Sequence, residues 1–392
     1  MKVKSIKAML KPNNRQRTKL FQYANTSRFA YNWTIAKQQE NYKNGGKFIS
    51  DSELRKAFTQ LKKMDGYEWL HEISNNVTKQ AIKDACSSYK RFFKGLAKYP
   101  RFKSRRKSTP SFYQDNEKIK FSATHVKVEG FSSSKKKNKQ QLNWIRLAEK
   151  HRIPFDEPVK YMNPRITFDG LNWWVSVSVE SASKDTPLQS EGVGIDLGLK
   201  ELAVVSDHMV YKNINKSSKV RKLEKKKRRL QRKVSKKYQY NMEGGRYKKT
   251  RNLIKSEKHL LKVSRKLTNI RHNYLHQVTS TIVNRKPKFI VLEDLNVSGM
   301  MKNKHLSKAI QQQLFYEFRR QLEYKSNWNH IPFILADRWF PSSKLCSSCG
   351  DIKKDLKLSD RLYQCHCGNY IDRDYQAAIN LKQYGERVLQ SA

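Results

Sequence analysis

The sequence predicts a multidomain protein of mixed β and α/β class: a small β-barrel with a helical insertion, then an α/β domain carrying a cysteine-rich appendage. Three observations lead there. Apolar and polar residues alternate with period two over residues 1–11 and through most of 119–180, as in half-buried strands. Between those stretches, residues 14–98 repeat apolar residues three to five apart, as on helix faces. After residue 191, short apolar runs that meet a carboxylate alternate with long helical segments, the pattern of an α/β sheet. A chain of 392 residues is long enough for one to three domains with real cores.

In chain order, Val3, Ile6, Ala8 and Leu10 alternate with basic and polar residues, and Pro12 ends this first strand. Helices follow, with Phe21, Ala24, Phe29, Trp33 and Ala36 on one face, then Leu54, Phe58 and Leu61 after a Gly45-Gly46 turn. A third helix is expected from about 75 to 96, with Val77, Ala81, Ala85, Tyr89, Phe92 and Phe93 on one face. The segment 98–107 interleaves Tyr99 and Phe102 with Arg101, Lys103 and Arg105, a composition suited to phosphate contacts and base stacking. Strands are expected over 121–128 and 166–179, with a lysine-rich polar loop over 132–141. The expected division is a barrel of 1–13 and 99–182, a helical domain of 14–98, a linker of 183–190 and an α/β domain of 191–392.

Within the last part, residues 192–206 read as strand, turn and strand. Residues 212–271 hold 24 Lys/Arg and three acids, with Leu223 and Leu230, then Leu253, Leu260 and Leu267, each seven apart. That is a two-helix hairpin with an apolar seam and basic outer faces. A buried strand over 288–295, a helix over 308–328, a strand over 331–339 and a last helix from 374 complete the domain.

Charge restricts the partners. Lys and Arg number 82 against 34 acids, a formal net charge of +48. So large an uncompensated charge repels itself out of a compact state, so a polyanion has to neutralise it. No apolar run reaches the ~18 residues of a membrane span, which leaves nucleic acid. The basic start lacks a secretory signal, and four of the five cysteines cluster, so the expected place is a reducing bacterial cytoplasm, at the nucleoid. The fifth, Cys86, falls in a helical pattern as a small core residue.

Two constellations carry chemistry. Cys346-x-x-Cys349 and Cys365-x-Cys367, each followed by glycine, have the composition of a structural zinc knuckle over 340–371. Four thiolates complete the shell without His366. The second constellation is Asp196 in a strand, Glu293 at the end of a strand and Asp374 at the mouth of a helix. Each alone has an ordinary explanation, a helix cap for Asp374 or an exposed strand end for Glu293. Together, in this order, they match the RNase H-like fold and supply the oxygen donors that two Mg2+ ions need to hydrolyse a phosphodiester. Asp294 and Asp372 rank below them. Exposed Asn75 and Lys79, with Asn76, Gln80 and Lys83, are candidates for reading base edges.

These pieces resemble the TnpB family of transposon-encoded RNA-guided DNA endonucleases, related to type V CRISPR effectors. The resemblance rests on Gly194-Ile-Asp196-Leu-Gly198, Leu292-Glu293-Asp294-Leu295-Asn296, the 318–325 segment, Phe340-Pro-Ser-Ser-Lys344 with the cysteines, and Asp372-Arg-Asp374 with Ala377-Ala378-Ile379-Asn380. Arg28-Phe-Ala-Tyr-Asn32 and Tyr99-Pro-Arg-Phe-Lys103 also fit. It implies a wedge-type β-barrel with a helical recognition insertion, then a RuvC nuclease domain with a zinc ribbon. It further implies a guide RNA from the transposon end, one protein per RNA, and double-stranded target DNA cut beside a short adjacent motif. By the same resemblance Asp196, Glu293 and Asp374 form the catalytic triad. Gln376 stands where the family usually has asparagine. The alternatives are a nuclease-inactive RNA-guided repressor and an unguided DNA-binding helper of transposition.

Overall fold

The computed structural model describes residues 2–132, 141–156, 159–181, 187–357 and 360–391. Most of the expected lysine-rich loop and part of the expected linker lie outside them. The chain divides into two compact units, Met1–Ala182 and Ser183–Ala392.

The first unit is built on strand β1 (Lys2–Lys11), β2 (Ser111–Tyr113), β3 (Lys120–Phe121), β4 (His125–Lys127), β5 (Trp144–Leu147), β6 (Tyr161–Phe168) and β7 (Trp173–Ser181). They form one antiparallel sheet in the order β2-β6-β7-β1-β5-β4-β3. β1 runs against β7 from Lys2 opposite Ser181 to Leu10 opposite Trp173. Alternation then puts Ala8, Leu10, Trp173, Val175, Val177 and Val179 into one buried face. The sheet is open among the described residues, where the sequence predicted a closed barrel. The cause is local. The segment expected as one strand over 121–128 is broken at Ser122, whose hydroxyl accepts from the backbone N–H of Thr124 and His125. It folds back as the short β3–β4 hairpin and leaves no long strand to close the sheet.

Helices α1 (Asn14–Lys43), α2 (Asp51–Leu61) and α3 (Asn75–Phe93) are inserted after β1. Asn13 with Gln16, and Ser50 with Glu53, form capping boxes that fix where the first two begin. The first half of α1 packs Leu20 and Tyr23 onto the sheet. Its second half joins α2 and α3 in a separate core of Ala30, Ile35, Leu54, Phe58 and Ile82. Cys86 is buried there as expected, and burial pushes its thiol up to about 11.

The second unit contains β8 (Val193–Leu197), β9 (Glu201–Val205) and β10 (Val210–Lys212), then helix α4 (Ser218–Tyr240). The ribbon β11 (Met242–Glu243) and β12 (Arg246–Tyr247) leads into α5 (Arg251–Asn284). Strand β13 (Ile290–Glu293), helices α6 (Val297–Met300), α7 (Ser307–Gln313) and α8 (Phe315–Trp328), and strand β14 (Phe333–Ala336) follow. The chain ends in the hairpin β15 (Leu362–Gln364) and β16 (Tyr370–Asp372), then α9 (Arg373–Gln390). The main sheet has the order β10-β9-β8-β13-β14, antiparallel over its first three strands and parallel over its last three. This is the strand order of the RNase H-like fold.

The basic hairpin turns at Gly244 and Gly245, both at positive φ, a conformation glycine adopts without a Cβ clash. α5 runs beyond the expected 271 because Leu275, Val278, Ile282 and Val283 cover the sheet. The helix expected over 308–328 is two helices, interrupted where Leu314 adopts a left-handed conformation at φ 59°.

Candidate active site and thiolate cluster

Residues 178 positions apart are brought together by one strand pairing and one helix. β8 and β13 are parallel neighbours with Ile195 opposite Leu292, so Asp196 and Glu293 follow each other at the same end of adjacent strands. α9 crosses this pair, and the crossing demands glycine. A Cβ on Gly194 would sit 2.2 Å from the Ala378 carbonyl oxygen, and one on Gly385 would sit 2.4 Å from Val291. Close approach at these two points delivers the first turn of α9, and with it Asp374, to the two strand carboxylates.

The cap of α9 is Asp372, not Asp374. The Asp372 carboxylate accepts from the backbone N–H of Asp374 at 2.9 Å and of Tyr375 at 3.1 Å. Asp374 is therefore free of capping. Burial raises Asp196 well above the usual carboxylate range, and the charges of Glu293 and Asp374 raise it further. Burial likewise raises Glu293, and burial with Asp372 raises Asp374. The Arg373 guanidinium opposes each shift. The action of the Glu293 and Asp374 charges on Asp196 puts the three carboxylates in one neighbourhood. Three hard oxygen donors held at a mutual electrostatic cost form a site that a divalent cation relieves.

Cys346, Cys349, Cys365 and Cys367 converge, with Sγ–Sγ separations of 3.7 Å (346 to 367) and 3.5 Å (349 to 365). Those are far from a disulfide bond and near the ~3.8 Å edge of a tetrahedron with ~2.3 Å metal–sulfur bonds. The His366 Nδ1 lies beside the cluster, 3.7 Å from Cys365 Sγ and 3.5 Å from Asp351, and these three make a second group of potential ligands that shares one thiol with the first. Two amides of α9 fasten this cluster to the acid site. Gln376 is fully buried; its Nε2 donates to the Leu345 carbonyl at 2.8 Å, and its Oε1 accepts from Ser347 and Asn369. Asn380, one turn on, donates to the carbonyls of Ser342 and Leu345, both at 2.7 Å. The spacing of Gln376 and Asn380 carried this signal, since i and i+4 share a helix face.

The candidate nucleic-acid residues lie in the first unit. Two motifs of the resemblance are a single piece of structure there. The Asn32 side chain clasps the backbone of Lys103, donating to its carbonyl at 2.9 Å and accepting from its N–H at 2.8 Å. The Lys103 ammonium lies 3.6 Å from the Tyr31 ring centroid. Tyr99 packs edge-on against Tyr89 and Phe92. Arg101 is exposed. Arg105 lines a groove of about 910 Å3 with Arg28, Arg106 and Lys107. On α3, Lys79 is exposed, whereas the Asn75 oxygen accepts from the buried ammonium of Lys62. Gln80 is tied to Asp84, which is itself held by both terminal nitrogens of Arg165.

Asp294 turns its side chain to two arginines rather than to the acid site. Its Oδ1 accepts from Arg319 Nη1 at 2.6 Å and its Oδ2 from Arg338 Nη2 at 2.7 Å. Nothing in the sequence pattern marked this pair.

Comparison with known proteins follows the same lines. Family models match residues 1–47 ("Helix-turn-helix domain"), 175–304 ("Probable transposase") and 315–381 ("Cas12f1-like, TNB domain"). The first of these segments folds here as a strand and one long helix. The chain is 28% identical to the Escherichia coli protein named "Putative RNA-guided DNA endonuclease InsQ", over 99% of this chain and 94% of that one. It is also 28% identical to a Streptomyces pristinaespiralis protein named "Putative RNA-guided DNA endonuclease", over 95% of this chain and 87% of that one. Among solved structures, the Cas12f1 chain of a complex with sgRNA and target DNA shares the fold, with a TM-score of 0.61 at 14% identity, over 92% of this chain and 81% of that one.

Proposed function

We propose that this chain, which belongs to the TnpB family, is an RNA-guided DNA endonuclease that hydrolyses target DNA beside a short adjacent motif. The observation that carries the reading is the meeting of Asp196, Glu293 and Asp374 from two parallel strands and a crossing helix. Asp196, Glu293 and Asp374 would hold two Mg2+ ions, which supply an activated water and shield the charge that builds on phosphorus and the leaving oxygen.

The chain's own residues do the rest. β8 and β13 fix two carboxylates on rigid backbone, and Asp372 caps α9 so that the Asp374 carboxylate is available. Arg373 moderates the negative charge of the cluster. The four thiolates would hold one structural zinc, with no open position for chemistry. Gln376 and Asn380 transmit the rigidity of that knuckle to α9. The +48 charge, the basic α4–α5 hairpin and the Arg28/Arg105/Arg106/Lys107 groove supply the polyanion surface for guide RNA and target DNA.

The match to a "Probable transposase" model favours a second reading, an unguided DNA-binding helper of transposition. Purification from the native locus without nuclease, followed by sequencing of the bound nucleic acid, separates the two. Guidance requires one abundant RNA mapping to the transposon end. Heterogeneous cellular RNA alone favours the helper.

A further inference from the structure

One side of the thiolate cluster carries donors that a four-thiolate zinc shell leaves unused. Asp351 follows Cys349 by two residues, and His366 stands between Cys365 and Cys367. The His366 Nδ1 lies 3.7 Å from Cys365 Sγ and 3.5 Å from an Asp351 carboxylate oxygen, and the three donor atoms all lie within 4.8 Å of one another. A tetrahedral ion with bonds of ~2.3 Å to sulfur and ~2.0–2.2 Å to nitrogen and oxygen spaces its ligand atoms ~3.4–3.7 Å apart. The two spacings at Nδ1 already match.

An imidazole beside a surface carboxylate is ordinarily a solvated ion pair worth little. Here the same nitrogen also faces a thiol. An Nδ1–H points along one line and satisfies one of the two, whereas a cation in front of Nδ1 takes a lone pair from all three. The knuckle turns hold these donors in place. The Asp351 carbonyl accepts from the Cys346 N–H at 2.8 Å. The Cys365 N–H donates to the Asn369 carbonyl at 2.9 Å, and the Cys365 carbonyl accepts from the Gly368 N–H at 3.1 Å. The side chains of His366 and Asp351 are 74% and 55% exposed, which gives an ion access and a water room in its fourth position. One sulfur, one nitrogen and one oxygen favour Zn2+ over Mg2+ and Ca2+, which take oxygen donors. Four thiolates around one Zn2+ keep a net negative charge, and a thiolate sulfur retains lone pairs after its first metal bond.

We propose that Asp351, Cys365 and His366 form a second, exchangeable site for a divalent cation of the Zn2+ type, with the Cys365 thiolate bridging it to the zinc of the knuckle. The site rests on the reading of the four thiols as a zinc knuckle. Its ion is held more weakly than the enclosed one, because it has three protein ligands, shares one of them and lies at the surface. Occupied, it clasps the loop after Cys349 to the Cys365–Cys367 turn a second time.

The test uses the full-length protein with its bound nucleic acid, freed of loose metal by gel filtration, its zinc measured by elemental analysis. Co2+ is then titrated into the zinc-loaded protein. The expected result is a thiolate-to-cobalt charge-transfer band that saturates at one Co2+ per chain, with the original zinc retained and the band unmoved by a large excess of Mg2+. Co2+ held by phosphates has oxygen ligands and gives no such band. His366→Ala and Asp351→Asn, both at exposed side chains, should keep the zinc and weaken Co2+ binding by more than the ~10–100-fold typical of outer-shell changes. A band absent from the zinc-loaded wild type, or undiminished in both variants, overturns the second site and leaves the knuckle intact. Co2+ that enters only as zinc leaves, one for one, does the same. Wild-type protein that neither holds zinc nor takes it up overturns the knuckle reading itself, and the second site with it.

Discussion

At the residue scale, the acid site is paid for in stability. Asp196, Glu293 and Asp374 all have carboxyls raised by burial, and Asp196 also by its neighbours. A carboxyl raised in the folded state keeps its proton longer than in the unfolded chain. Stability is thus full below the ordinary carboxylate value and falls as pH rises from there through the raised values. Asp196→Asn is expected to raise the Tm of metal-free protein at pH 8 and to flatten its fall between pH 5 and pH 8, while Mg2+ stabilises the wild type more than the variant. Equal Tm profiles of the two proteins would contradict this. Gln376→Ala removes a buried donor and the acceptor of Ser347 and Asn369, and should cost about 1–3 kcal/mol in chemical denaturation. Its loss of cleavage should exceed its loss of DNA binding. Asp196 and Glu293 stand out in the sequence because each ends or interrupts an apolar run, and Asp374 because it opens a helical pattern. That Asp372 caps α9 was not legible there, since both acids occupy the same helix mouth and only the capping geometry tells them apart.

At the element scale, α9 is the part on which the site depends. Gly194→Ala places a methyl against the α9 backbone at Ala378 and Lys382, which cannot move aside as a side chain can. The expected result is destabilisation of about 1–3 kcal/mol and loss of cleavage with guide RNA still bound, measured by denaturation and by RNA retention on a column. The knuckle should hold one zinc per chain by elemental analysis. Cys349→Ser should release it and weaken cleavage, because Leu345 and Ser347 would no longer be held where Gln376 and Asn380 meet them. Long periodic elements were readable: α3 begins where the apolar face predicts, and β1 and β7 follow their alternation. The open sheet and the break at Leu314 were not, because a hydroxyl turn at Ser122 and a left-handed leucine leave no mark on hydrophobic periodicity.

At the scale of the whole molecule, charge decides behaviour. A formal +48 meets scattered ion pairs among the described residues, such as Arg271–Glu224 and Arg165–Asp84. Protein stripped of nucleic acid should melt earlier than protein with RNA, and its affinity for nucleic acid should fall steeply with salt, each neutralised phosphate adding about −0.9 to the logarithmic slope on duplex DNA. Composition alone led to this polyanion dependence. The expectation of RNA guidance rests on the family resemblance of the motifs, since charge does not distinguish one polyanion from another.

The most direct test of the central claim is cleavage of a plasmid bearing a sequence matched to the RNA that copurifies with the protein. With Mg2+ the wild type should linearise the matched plasmid and spare one with a scrambled target, and Asp196→Ala should bind the matched plasmid without cutting it. Cutting by Asp196→Ala, or equal cutting of matched and scrambled plasmids, would contradict the account.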